Sequence, residues 1–275
     1  MIVRISKAKL FSALLPALLL STFVNAQKLP NIQKSGLRAP ANIKIDGKAA
    51  DWGNSLQAYN HAIQASYALA NDDNKLYLIV SSNRKEIINK MINGGVSLIV
   101  NKVRKSATGG ASVTFPVFNA DNAPVISLNS MFDIKPGTPN ADRKMDSLVK
   151  ASNSTLSDKD KFIRLSGVQD DIDTLISVYN KNGIKAYSAF DNNKNYTLEI
   201  SVDLKVLGLS ISNRAPFNYS IRFNELKLDY VPGVDITRNT EGVITRANVV
   251  DVKMANSFMS VLNTTDCWGT YTLVK

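Results

Sequence analysis

Residues 196–203 read YTLEISVD, with Tyr196, Leu198, Ile200 and Val202 alternating against Thr197, Glu199, Ser201 and Asp203. Successive side chains of a strand point to opposite faces, so this period of two describes a half-buried β-strand. The pattern recurs elsewhere. Tyr219, Ile221 and Phe223 alternate with Ser220, Arg222 and Asn224, and Val96, Leu98 and Val100 form another such set. Residues 76–80 (LYLIV) are apolar throughout and suit a central strand, while Tyr271 and Leu273 predict a closing one.

Turn chemistry links these segments. Asn182-Gly183 lies between 175–179 and 184–190, and Asn-Gly readily takes the positive φ angles of a tight hairpin. Residues 191–195 (DNNKN) and 71–75 (NDDNK) are further polar turns. Strands joined this way pair as antiparallel neighbours. The expectation is an all-β fold, an antiparallel β-sandwich of jelly-roll or immunoglobulin-like type.

Helix is scarce. Residues 84–93 place Ile87, Ile88, Met91 and Ile92 on one side and stop at Gly94-Gly95. Residues 140–150 carry Met145, Leu148 and Val149 at helical spacing. The region of about 104–160 reads as an insertion of loops, two strands and one or two short helices. Residues 27–40 form a lead-in, and 41–275 are expected to be a single sandwich.

Residues 1–26 have the layout of a cleaved secretory signal. Arg4, Lys7 and Lys9 precede an apolar stretch, and Val24 and Ala26 stand at the −3 and −1 positions before Gln27. The apolar run is too short to span a bilayer as a stable helix, and no comparable run follows. The protein is therefore expected to be exported, periplasmic or extracellular, with no membrane span after cleavage. Cleavage would remove three positive charges and leave +7 of the formal +10. That surplus comes without a dense Lys/Arg run, which argues against nucleic acid as a partner.

Rarities exclude more than abundances do. With one histidine, His61, and one cysteine, Cys267, the chain can build neither a Cys/His zinc site nor an internal disulfide. No Gly-x-Ser-x-Gly elbow accompanies His61. Acidic clusters at Asp72-Asp73 and Asp170-Asp171-Asp173 leave a structural calcium open, although neither has EF-hand spacing. No other metal or cofactor is expected.

Several stretches carry a family resemblance. IKIDGKAADW (43–52), YALANDDNKLYLIV (67–80), IINKMINGGVSLIV (87–100) and residues 177–209 together resemble the family 9 carbohydrate-binding modules. The resemblance implies a secreted β-sandwich that binds a glycan without catalysis. Its structural motif falls on Asp46, Gly47, Trp52, Asp72 and Asp73. Asp46-Gly47 supplies a turn, Trp52 reads as core, and Asp72 and Asp73 shorten a loop. The clamp between two tryptophan rings that the family implies has no residue-by-residue match here. The aromatic residues left as ligand contacts are Trp268, read either as core or as an exposed face, and Tyr59 and Tyr230, in polar contexts.

Three functions follow in order. The first is an exported, non-catalytic glycan-binding protein. The second is an envelope domain for a protein partner, or a structural domain, that has lost the sugar site. The third is a glycoside hydrolase acting through paired carboxylates.

Overall fold

The computed structural model describes residues 28–53, 56–118, 122–168, 172–225, 234–241, 244–250, 252 and 263–275. One sheet has the order β1 (Ala58–Asn60), β2 (Ala65–Asn71), β3 (Lys75–Ser82), β9 (Tyr196–Asp203), β8 (Ile184–Phe190). The facing sheet runs β13 (Thr265–Tyr271), β10 (Phe217–Phe223), β4 (Val96–Asn101), β5 (Ala111–Phe115), β6 (Phe162–Ser166), β7 (Leu175–Ser177). A separate hairpin pairs β11 (Val234–Arg238) with β12 (Ile244–Val249). Neighbouring strands in both sheets are antiparallel, so the protein is an antiparallel β-sandwich.

The alternation seen in sequence sets the inner faces. Tyr196, Leu198, Ile200 and Val202 of β9 meet Phe217, Tyr219, Ile221 and Phe223 of β10 in one continuous core. Across it the hydroxyls of Tyr67 on β2 and Tyr219 on β10 lie 2.9 Å apart. A buried phenol needs a partner, and this pair supplies one to each ring from the opposite sheet. Helix α1 (Lys85–Gly94) buries Ile87, Ile88, Met91 and Ile92 against the same core and ends at Gly95.

The lead-in is part of the sandwich. The Gln33 side chain donates to the Leu69 carbonyl and accepts from its N–H, both at 2.8 Å, as a neighbouring strand would. Ala39 N–H donates to the Asn71 carbonyl, and Asn71 N–H donates to that of Leu37.

Three expectations need correction. First, β9 is buried on both faces: Thr197, Glu199 and Ser201 are at most 5% exposed. The segment from Leu37 to Trp52, with Leu56, lies over the outer face of β2 and β3 and makes a second small core of Trp52, Ala68, Ala70, Tyr77 and Ile79. Second, Asn182-Gly183 does not turn a hairpin. β7 pairs with β6 and β8 with β9, so the chain crosses here from one sheet to the other. The Asn180 amide donates to the carbonyls of Ser177 and Ile184, satisfying backbone groups that a hairpin ladder would have paired. Gly183 has φ +76° and packs on the Asp203 carboxylate, where a side chain would collide. Third, within the region of about 104–160, β5 stands inside the six-stranded sheet, and the helices follow it. α2 (Leu128–Asp133) is short, whereas α3 (Ala141–Lys159) runs for 19 residues, well past residue 150. Its second half, ASNSTLSDK, has too few apolar residues to show a helical period, yet it buries Ser152 and Leu156.

Candidate functional site

The motif residues of the N-terminal third gather around one carboxylate. Glu199, fully buried on the outer face of β9, accepts the Trp52 indole N–H on Oε1 at 2.7 Å. Its Oε2 accepts the amides of Asp46 at 2.9 Å and Gly47 at 2.7 Å. Gly47 sits at φ +75° with its Cα against Ala189, so a side chain there would be both strained and crowded. Burial raises the pKa of Glu199, and the three donors act against that rise. Trp52 is 5% exposed. The Ile-Asp-Gly…Trp signature thus fastens the covering segment to the sheet and leaves no ring for a ligand.

The Asp72-Asp73 cluster is likewise committed to folding. Asp72 Oδ1 accepts the amides of Asn74 and Lys75, each at 2.7 Å, and its Oδ2 accepts the Tyr77 hydroxyl at 2.6 Å. Asp73 pairs with Arg38 at 2.8 Å. The two carboxylates therefore face different partners. No group of three or more metal-ligating side chains occurs among the described residues, and Asp170 and Asp171 of the other acidic cluster lie outside them.

Of the aromatic residues singled out in the sequence, Tyr59 and Trp268 lie on different sheets. Tyr59 is half-buried on β1 and meets His61 edge-on at 5.2 Å. Trp268 is half-buried on β13, where Cys267, Gly269 and Tyr271 turn inward, so it belongs to the outer face, opposite Ser220 of β10. Tyr230 lies outside the described residues.

A cleft of about 400 Å³ opens instead where the chain changes sheets. β8 is the edge strand of the five-stranded sheet, and α3 docks along its free side. There the Asn153 side chain holds both the N–H and the C=O of Phe190, at 2.7 and 3.0 Å. Capping the C-terminal end of α3, Asp160 accepts the Ser188 hydroxyl on Oδ2 at 2.7 Å. Between these contacts and the crossing loop lie Tyr179, Asn180, Lys185, Tyr187 and Ser188, with Ser157 and Ile45 completing the wall.

Two features set this cleft apart. Its mouth carries two tyrosines, Tyr179 at 76% and Tyr187 at 36% exposure. The Tyr179 ring is steadied by Lys161, whose ammonium lies 3.0 Å from the hydroxyl and 5.3 Å from the ring centre. Its floor carries Asp160, only 7% exposed, with Oδ1 making no hydrogen bond to the protein. Burial raises its pKa to about 7 against the lowering effects of Ser188 and Lys161. Nearby, the Tyr196 hydroxyl is buried beside Ser188 and Asp160, and burial pushes its pKa well above the ordinary value. Asp160 is the one carboxylate among the described residues lining the cleft.

In the sequence Tyr179 and Tyr187 flank Asn182-Gly183 in a stretch with the pattern of an ordinary hairpin, which hides them as site residues. The available signal was a pair of tyrosines in YNKNGIKAYS (179–188), with amides and lysines between them.

A scan against protein-family models finds no match for the sequence, and none of the curated proteins matches it. Among solved structures, the chain is similar to a family 9 carbohydrate-binding module from Caldicellulosiruptor kristjanssonii in complex with glucose. Identity is 10% over 87% of this chain and 94% of that one, with a TM-score of 0.33. The likeness is distant and at the level of fold.

Proposed function

We propose that this protein is an exported, non-catalytic saccharide-binding protein whose ligand seats in the cleft beside β8. The observation that carries this reading is the pair of exposed tyrosine rings, Tyr179 and Tyr187, over a polar floor. A pyranose ring presents an apolar C–H face and a rim of hydroxyls. Tyrosine offers a rigid apolar plate with a polar tip, at little cost in side-chain entropy. Lys161 already restrains one of the two plates. The volume of about 400 Å³ falls in the usual range for small-molecule sites, roughly 300–1,000 Å³. A hydrolytic role needs two carboxylates, and among the described lining residues Asp160 stands alone, which favours binding over cleavage. The charge and apolar pattern of residues 1–26 supports export.

A glycan array followed by calorimetry tests the reading. We expect a bound saccharide whose affinity drops about tenfold or more in Tyr179→Ala, a loss of roughly 1.4 kcal/mol or more. The fold should be untouched, because Tyr179 is 76% exposed. Silence across the array from folded protein would sink the proposal and turn attention to a protein partner.

A further inference from the structure

The free side of the edge strand β8 is plugged at both ends and open in the middle. Its odd-numbered residues bond to β9, since the Gly183 carbonyl accepts from Asp203 N–H and Asp191 N–H donates to the Asn195 carbonyl. Main-chain groups alternate in direction along an antiparallel strand. Ile184, Ala186, Ser188 and Phe190 therefore turn theirs away from β9. Asn153 takes both groups of Phe190, and Asn180 takes the Ile184 carbonyl. Between these plugs, the N–H and C=O of Ala186 and of Ser188 have no partner among the described residues. Both residues line the cleft. Main-chain groups left open at a sheet edge are a template for a ligand with donors and acceptors of its own.

The lining beside this open edge is apolar, with Ile45, Leu156 and Val178 next to the Ala186 methyl. A ligand that matches both features joins a hydrogen-bonding amide to a small apolar group. We propose that the cleft takes a 2-acetamido sugar, whose amide carbonyl accepts from Ala186 N–H and whose methyl lies against Ile45 and Val178. The inference rests on the saccharide reading of the Tyr179–Tyr187 site.

The tyrosine plates remain for the pyranose ring, and the acetyl methyl leaves water for an apolar wall. Hydroxyls are donors as well as acceptors, so those on the adjoining ring carbons can serve the edge C=O groups. Ala186 is the freer of the two open residues, because the Ser188 side chain is drawn toward Asp160. The Asp160 carboxyl is sealed behind that contact and takes no part. An extended peptide would also pair with such an edge. The plugs, however, leave only two residues open, roughly 7 Å of strand, where strands usually run to about five or six residues. That length suits an amide on a compact ring better than an added strand.

The test is calorimetry with N,N′-diacetylchitobiose and cellobiose, which share ring and linkage and differ in acetamide against hydroxyl. The acetamido sugar should bind tighter by about tenfold or more. Acetyl-trialanine amide is the peptide probe and should not compete. Ala186→Pro deletes the edge N–H and no ladder bond, and an edge strand accepts proline at such a position. It should keep its thermal melting and lose about tenfold or more in affinity for the acetamido sugar. Amide hydrogen exchange on the unmodified protein gives a reading that does not depend on that variant folding. Without ligand, Ala186 and Ser188 should exchange faster than Lys185, Tyr187 and Ala189, and the acetamido sugar should slow Ala186. Cellobiose bound as tightly as diacetylchitobiose, yet lost in Tyr179→Ala, would overturn the acetamido assignment and leave the tyrosine site standing. So would a bound acetamido sugar that leaves the exchange of Ala186 unchanged. Preference for the peptide over both sugars would overturn the inference in favour of strand addition. Failure of every probe to bind folded protein would overturn it together with the reading on which it rests.

Discussion

Glu199 and Asp160 lie on or beside adjacent strands of the same sheet, and both carboxyls are taken out of water by segments packed over that sheet. Glu199 is covered by the N-terminal segment and receives an indole and two amides. Asp160 is covered by the end of α3 and receives one hydroxyl. Burial raises both pKa values, and at Asp160 it raises the value to about 7. Where donors meet every lone pair that matters, a buried carboxylate is a fastener. Where they do not, it retains the capacity to change its charge near neutral pH.

That contrast is broken most severely at the fastener. Trp52→Ala removes a buried ring and Glu199's indole donor together, and should cost about 3–5 kcal/mol. Glu199→Ala strands three donors under the same segment and should cost a similar amount, of order 3 kcal/mol. Denaturant unfolding checks both. A loss under about 1 kcal/mol in either variant would mean that the covering segment is dispensable and the comparison mistaken.

The second prediction carries the opposite sign. Asp160 has a folded pKa near 7 against about 4 in an unfolded chain. Between those values the native state holds the proton and the unfolded state does not, so stability falls as pH rises from about 4 to 7 and stays reduced above that. Asp160→Asn should therefore stabilise the protein at pH 8, by about 1–3 kcal/mol, and change it little at pH 4. A variant that is less stable than wild type at pH 8 would show that the charge is compensated, as it is at Glu199. The smallest effect is expected at the exposed pair Arg38–Asp73, with side chains 41% and 64% exposed. Arg38→Ala should leave stability almost unchanged, with any loss smaller still in high salt.

The strands were legible because each depends on a local period of two. β3, β4, β9 and β10 fall where the alternation or the apolar run placed them, and the turns at 71–75 and 191–195 join paired strands. α3 was half legible, since Met145 and Val149 show its period and the polar residues after 150 do not. The site was not legible. Tyr179 and Tyr187 line one cleft because the chain switches sheets at Asn182-Gly183, and an Asn-Gly step fits that crossing as well as it fits a hairpin. Asp160 looked like one acidic residue among the 23 of the sequence, because burial and missing donors are not local properties.

The sequence by itself determined the class of the fold, an antiparallel sandwich, and set aside zinc and an internal disulfide through the single His61 and Cys267. It also paired Asp46-Gly47 with Trp52 as a structural signature. Tertiary structure alone decided that Glu199 collects that signature, that β9 is covered on both sides, and that the crossing at residues 178–183 opens a cleft over Asp160. The reason is physical. Alternation is written in neighbours along the chain, whereas a carboxylate's burial and its count of donors depend on which distant segments arrive beside it.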